Sequence, residues 1–482
     1  MNETLKKLWK KAKKSPEPVK ASFWFAVCNV VNKCIQLITI PIFTRILTQT
    51  EYGEYTTFLS WRGIFIIFAT LSLYSNVFNN GMLKYKEDRD AFVSAMQGLT
   101  TTISVILLTV LLCFQKQITS WTEFTPAILI LTITEIIIMQ GFEFWAASER
   151  FDYKYKKVVV ITILIAVLNP LVGLGMVFFA EQKGTARIIS VLVVPIVVYF
   201  YLYVRNFKNG RKFFVKEYWK YALVLALPLV PHYLSQMLLN EMDRLMIKSM
   251  CGKEEAAIYS VAYSAAMVMQ IVGKAIQGSM TPWIYKNVKQ NNIAPIKDTV
   301  NKLCVLVAGI NFMIICFAPE IIPILGGKGY MEAVYVIPPV AVSSFLIFLY
   351  SMFCILEFYY EQTNAMMIVS ILGATLNFVL NYTLIPLCGY KAAGYTTLVS
   401  FLFFVVVHCF VMKRALRKNG HEKGIYDGRF LMIFTVAFVV FSIAMNVTYY
   451  YPFVRYGILL LLFLIIYLKR KVVLGLLKKY IK

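Results

Sequence analysis

Apolar runs, most of them about twenty residues or more, separated by short polar connections, follow one another from residue 20 to residue 468. They can be drawn as 20–46, 57–80, 92–114, 124–147, 158–180, 187–205, 221–248, 257–281, 299–318, 331–357, 364–387, 392–412, 430–450 and 454–468. None alternates as a barrel strand would. Only helices and closed barrels satisfy backbone groups in hydrocarbon, so the runs are read as helices. The pattern therefore predicts an all-α polytopic membrane protein with about 14 transmembrane helices, successive ones antiparallel because the connections are short.

Faint echoes recur at one spacing. Glu51, Tyr55 and Ser60 align with Glu255, Tyr259 and Ser264 at an offset of 204. Glu143-Phe144-Trp145 aligns with Glu357-Phe358-Tyr359 at 214, and Leu168-Asn169 and Lys183 with Leu376-Asn377 and Lys391 at 208. Six spans separate each pair, which predicts two parallel six-helix lobes, a known transporter plan. The N-lobe is 20–205 (spans 1–6) and the C-lobe 221–412 (spans 7–12), joined by a basic cytoplasmic loop at 206–220. A cytoplasmic loop at 413–429 leads to spans 13–14 and a basic tail, 430–482.

Charge then orients the chain. Of 49 Lys and Arg residues, 36 fall in the head, in alternate connections and in the tail; nine fall in the opposite connections, and Lys33, Arg62, Arg244 and Lys274 lie inside apolar runs. Short cytoplasmic loops carry the excess of Lys and Arg, so both termini are expected to be cytoplasmic. The net charge of +24 is thus accounted for by topology and by anionic lipid headgroups rather than nucleic acid. Residues 1–19 carry Leu5, Leu8, Trp9 and Ala12 among six lysines before Ser15. They read as an interfacial amphipathic helix, not a signal peptide.

Composition closes off other classes. The chain is 59% hydrophobic and 15% charged, against about 45–50% and 25% for soluble domains. Its mean hydropathy is +0.66. No connection is long enough for a glycosyltransferase or ATPase domain, and no GxxxxGK[ST] phosphate loop occurs. Energy must come from an ion gradient, the substrate gradient or a partner protein. The nine cysteines show no CxxC and no Cys/His cluster along the chain, which points to small apolar packing rather than metal or disulfide roles.

The stranded polar groups are the candidate chemistry. A charge at mid-bilayer costs about 3 to over 10 kcal/mol, so it usually faces a watery cavity or a partner. Asn29, Asn32, Lys33 and Gln36 recur at i, i+3, i+4 and i+7 on one helical face, and Tyr263, Gln270, Lys274 and Gln277 repeat the idea in span eight. His232, Gln236, Asn240 and Asp243 form a third stripe in span seven. Lys33 could instead pair structurally with a carboxylate, and Arg62 and Lys274 stand near enough to span ends to snorkel. Asp243 and Arg244 could pair with each other. Glu143 and Glu357 could be solvated at the cytoplasmic ends of their spans, whereas Glu135 lies deeper. His408, Asn377 and Asn381 read as interhelical hydrogen-bonding groups. Several cations converging on one cavity would suit an anionic ligand, a diphosphate above all. The 30 Tyr and 36 Phe residues offer stacking surface for sugars, though most must face lipid or core.

The segments IPIFTRILTQTEYGEYTTFLS (Ile40–Ser60), LPLVPHYLSQMLLNEMDRLMIKSMCGKEEAAIYSVAYSAA (Leu227–Ala266) and MTPWIYK (Met280–Lys286), with Gly389, Lys391 and Gly394 before span twelve, resemble the polysaccharide transporter (Wzx-type) family. That family belongs to the multidrug/oligosaccharidyl-lipid/polysaccharide flippase superfamily. The resemblance implies two helical bundles around a central cavity that alternates between inward-open and outward-open forms. It also implies movement of undecaprenyl-diphosphate-linked oligosaccharide repeat units across a bacterial cytoplasmic membrane, with lumenal cations holding the diphosphate. Lys33, Arg62 and Lys274 occupy the first, second and eighth spans accordingly, supported by Asn29, Asn32, Gln36, Gln270 and Gln277. Glu135, His232, Asn240, Asp243 and Arg244 are candidates for coupling or gating.

The expectation is therefore a transporter rather than an enzyme, with no cofactor beyond a coupling ion, H⁺ or Na⁺. Its partners would be the lipid-linked oligosaccharide, membrane lipids, and a polysaccharide polymerase and glycosyltransferases. The rivals are a lipid II-type flippase, an ion-coupled drug/cation antiporter of the same superfamily, a membrane polymerase or ligase, and an assembly factor without transport activity. The short outer connections count against the polymerase, and the cationic groups against the antiporter.

Overall fold

Capping and proline set where the helices begin, end and bend. The computed structural model describes residues 17–74, 76–152, 154–421 and 424–468, without the side chains of 17–23, 26, 76, 232, 363 and 462–468. Most of the expected amphipathic head and the whole basic tail after 468 lie outside these residues. Every regular element among the described residues is helical.

The first of two compact units runs to Ser260 and takes in Met367–Ala393. Its helices are α1 (Glu17–Ile46), α2 (Gln49–Thr70), α3 (Asn76–Lys84), α4 (Arg89–Cys113), α5 (Gln115–Thr122), α6 (Pro126–Phe151), α7 (Lys156–Phe179), α8 (Lys183–Gly210), α9 (Lys216–Ala226), α10 (Val230–Met250) and the first half of α11 (Lys253–Ala266). α8 packs on both α6 and α7, α4 packs on α6, α1 on α7, and α2 on α10. The second unit comprises Val261–Met366 and Gly394 onward. It holds the rest of α11, then α12 (Met269–Lys289), α13 (Ala294–Cys316), α14 (Ala318–Leu325) and α15 (Ile337–Tyr359). α16 (Thr363–Cys388) lies mostly in the first unit, while α17 (Ala392–Lys418), α18 (Gly428–Thr448) and α19 (Pro452–Leu468) complete the second. There α15 is wrapped by α12, α13 and α18 and is the most thoroughly buried helix, from Ile337 through Leu346 without a break. These units group the chain by contact, whereas the expected lobes group it by span order.

Eleven helices among the described residues, or twelve with one bent pair, are long and apolar enough to cross a membrane. About 14 spans are drawn from the sequence, and the difference falls on the second and fourteenth. α19 offers only Pro452–Leu461 to that test. α2 begins at Gln49, eight residues before the apolar run suggests. Thr48 and Glu51 form a reciprocal capping box there, and Leu71 ends the helix in left-handed conformation. Arg62 is consequently mid-helix. The seventh span is the bent pair: Pro228 and Pro231 interrupt the backbone ladder between α9 and α10, and the helix axis turns by 50°.

Candidate functional site: polar groups inside the first unit

α2 and α10 run antiparallel along a polar seam. Near the start of α2, Gly53 lies so close to the Lys253 carbonyl oxygen that a Cβ at that position would overlap it. Further along, the Ser60 hydroxyl donates to Glu241 Oε2 at 2.7 Å, and Gly63 faces the Met237 methyl. The Arg244 guanidinium closes on the same Glu241 carboxylate from one turn away. At one end Lys253 Nζ donates to Glu54 (2.7 Å) and to Glu123 (2.6 Å), Lys248 reaches Glu123 at 3.2 Å, and Thr50 Oγ1 donates to Glu254 at 3.1 Å. Glu123 sits between α5 and α6 with φ at +64°. Partial burial opposes its ionisation, but the Lys253 hydrogen bond and the Lys248 charge prevail and hold its carboxyl below the ordinary range.

Two carboxylates, Glu135 and Asp243, are fully buried among the described residues of the unit. Arg62 grips Glu135 of α6 with both arms, Nε to Oε2 at 2.9 Å and Nη2 to Oε1 at 2.6 Å. Glu135 is fully buried. A bidentate guanidinium–carboxylate fork is the arrangement that best offsets the desolvation of both ions. Asp243 of α10, also fully buried, accepts from the Tyr259 hydroxyl and from Asn381 Nδ2, each at 2.6 Å. Asn381 also reaches Asn377 Oδ1 at 3.3 Å, and Gln236 Nε2 donates to Ser370 Oγ at 3.1 Å. The pairs 236–370 and 243–381 both ascend, so α10 and α16 run parallel, and the stripe read on span seven faces the asparagines read on span eleven. Asn240 Nδ2 donates to the Gln236 carbonyl at 2.6 Å. The side chain of His232 lies outside the described residues.

The remaining expected residues are less engaged. Asn29, Lys33 and Gln36 are exposed on α1 and Asn32 is half-buried, with Lys33 Nζ donating to Gln36 Oε1 at 3.0 Å. The buried Cys28 of α1 meets the Val159 carbonyl of α7, and Trp24 stacks on Tyr155 just before α7. In the second unit Lys274 is exposed and Gln277 half-buried, while Gln270 Nε2 lies 2.9 Å from the Met267 sulfur. Also in that unit, an apolar cavity of about 440 Å³ is lined by Phe353, Val406, Phe410, Met432 and Val436, with Lys413 and Arg417 among its walls. Its lining suits hydrocarbon rather than sugar or phosphate.

Two features were missed in the sequence. Arg187, one turn into α8 and 4% exposed, donates to Asn169 Oδ1 and Ser190 Oγ at 3.1 Å and to Tyr55 at 3.2 Å. Its guanidinium also lies 4.0 Å from the Phe43 ring centroid. No carboxylate is among its described partners. Reading 187–205 as a span that begins at Arg187 hid this charge as a boundary residue. The internal echo could have found it: Tyr55 and Asn169 attend Arg187, as their counterparts Tyr259 and Asn377 belong to the Asp243 cluster. The second is that Glu357 is fully buried against His408 rather than solvated at a span end, because α17 covers it.

The profile of the polysaccharide biosynthesis protein family matches residues 19–288. The chain belongs to that family. A MatE profile also matches, over 228–383, and together they place the member in the multidrug/oligosaccharidyl-lipid/polysaccharide flippase superfamily. It is 20% identical to an Lsg-locus protein of Haemophilus influenzae over 57% of this chain and 67% of that one. In fold it is similar to the lipid II flippase MurJ in an inward closed conformation, with a TM-score of 0.62 and 12% identity over 89% of this chain and 99% of the other. It is also similar to an inward-facing multidrug resistance MATE family transporter, at 0.59 and 12% over 81% and 99%. The family member is thus a multi-pass membrane protein of the flippase type.

Proposed function

We propose that the protein flips undecaprenyl-diphosphate-linked oligosaccharide repeat units from the inner to the outer leaflet of a bacterial cytoplasmic membrane, for surface polysaccharide assembly. The observation that carries this reading is the exposed Asn29–Lys33–Gln36 face in the middle of α1, within a chain of the polysaccharide biosynthesis family. A lysine at that depth is costly unless a polar or anionic environment surrounds it. In this reading a cargo diphosphate contributes to that environment. The sugar head cannot cross about 30 Å of hydrocarbon unaided, so it would travel in a hydrated lumen while the polyprenyl chain stays in lipid.

In this reading two six-span lobes rock against each other, both termini are cytoplasmic, and the seam from Gly53 to Glu123 and Lys253 is the outer gate. Arg62 is held by Glu135 and shapes the lumen wall more than it holds cargo. Asp243, ringed by Tyr259, Asn381 and Asn377, is the favoured place for a coupling H⁺ or Na⁺. Polymerase and glycosyltransferases would act after and before the flip.

The test is mass spectrometry of polyprenyl-diphosphate glycans from cells with and without the protein, combined with an impermeant glycan probe on spheroplasts. Accumulation of one complete repeat unit, shielded from the probe on depletion, is the expected result. An unchanged lipid-linked pool with normal outer labelling would sink the reading. The MatE match favours an ion-coupled antiporter as second reading, which would show instead as uptake or extrusion of cationic dyes.

A further inference from the structure

The linear sequence shows no Cys/His cluster, yet the second unit builds one. Cys354 and Glu357 stand at i and i+3 on α15, so they share a face, and His408 of α17 lies opposite. The Cys354 sulfur is 3.6 Å from His408 Nδ1, and Nδ1 is 2.9 Å and 3.1 Å from the two Glu357 oxygens. All three side chains are buried, and one ligand atom from each lies within 4.8 Å of the others. The imidazole is fixed in orientation by near-parallel stacking on Tyr350 (5.4 Å, 15°) and Phe404 (5.8 Å, 16°).

We infer that Cys354, Glu357 and His408 form a three-ligand site for a borderline divalent metal ion, zinc being the best match, which staples α15 to α17 inside the membrane-spanning part of the second unit. Three arguments converge. First, sulfur, imidazole nitrogen and carboxylate oxygen are the donor types zinc takes, at about 2.0–2.3 Å. Around one tetrahedral ion those bond lengths put donor atoms about 3.3–3.7 Å apart. The sulfur–nitrogen separation already has that value, and a Glu357 oxygen lies within 4.8 Å of the sulfur. Second, a thiolate and a carboxylate cancel a divalent charge, leaving a neutral complex, which is what a low-dielectric site demands. Third, Glu357 is a fully buried carboxylate with no lysine or arginine within ion-pair distance among the described residues; its polar side-chain partner there is His408. Hard cations such as Mg²⁺ would not choose a thiolate.

The site stands apart from the flippase reading: it needs no cargo and lies among helices other than α1, α2 and α10. Purified full-length protein in lipid nanodiscs, stripped with a chelator and titrated with cobalt(II), tests it. One cobalt per chain with a thiolate-to-cobalt charge-transfer band, bleached by added zinc, is expected. Cys354→Ser should abolish the band, while Glu357→Gln and His408→Gln should each weaken binding by roughly tenfold or more. Cys409→Ser, one residue from His408, should leave it intact. A Cys354→Ser protein that does not purify as a monodisperse species is replaced by Cys354→Ala. No charge-transfer band in the wild type, or a band that survives loss of Cys354, overturns the assignment and leaves the cluster a hydrogen-bonded helix contact.

Discussion

At the scale of single residues, the buried charges are held in unequal ways. Arg62 and Glu135 neutralise each other through two hydrogen bonds, so removing one partner leaves an uncompensated ion in a dry environment. Glu135→Ala should destabilise the protein by about 3–5 kcal/mol, read as a lowered thermal unfolding midpoint. The double change Arg62→Met with Glu135→Leu should recover most of that loss. A double variant as unstable as the single one would show that the pair does more than balance charge. Among the described residues Arg187 meets neutral hydroxyl, amide and carbonyl groups and the Phe43 and Tyr55 rings, and so draws its stability from several weak dipoles. The existence of polar stripes was legible in the sequence, because i, i+3, i+4 and i+7 spacing needs no tertiary knowledge. Their partners were not, since Glu135 reaches Arg62 across 73 residues and no periodicity encodes that.

At the scale of helices, α2 shows where hydropathy misleads. Its first turns carry Glu51 and Glu54, which read as a polar connection. In the structure those turns are helical and packed, because the Glu51 carboxylate accepts from the Thr48 hydroxyl and the Glu54 carboxylate from Lys253. Gly53 is the residue that lets α2 approach α11 closely. Gly53→Ala should force the two apart at a cost of about 1–3 kcal/mol. Disulfide trapping of a Thr50→Cys/Glu254→Cys pair should slow on that background, and unchanged trapping would show the seam does not depend on this approach. The same seam is sensitive to acid. The folded protein holds Glu123 below the ordinary carboxylate range, so its contribution is complete above that range and is lost as pH falls through the lowered value. The stability advantage of wild type over Glu123→Gln should therefore be constant near neutrality and shrink below about pH 4.

At the scale of the whole molecule, the all-helical fold followed from span length and loop length alone. The count of spanning helices did not, because α2 combines moderate hydropathy with tertiary partners, a mixture invisible to a sliding average, and α19 is strongly apolar but short among the described residues. The Cys354–Glu357–His408 cluster was likewise unreadable, since His408 stands 51 and 54 residues from the other two on another helix. Transport is where the α1 face is tested. Lys33→Ala removes an exposed side chain and so should leave abundance and unfolding midpoint nearly unchanged, while repeat-unit flux falls at least roughly tenfold, as loss of one charge-assisted contact of about 1.5–3 kcal/mol implies. Normal flux at equal abundance would move the cargo site elsewhere.

The Arg62–Glu135 fork also bears on biogenesis. α2 leaves the ribosome 73 residues before its carboxylate partner. At about 5–20 residues per second, that is a delay of roughly 4–15 s. During that interval a moderately apolar helix carries an unneutralised guanidinium, so it cannot settle independently in lipid. Stable membrane insertion of the second span, α2, is thus expected to depend on the arrival of the fourth, α6.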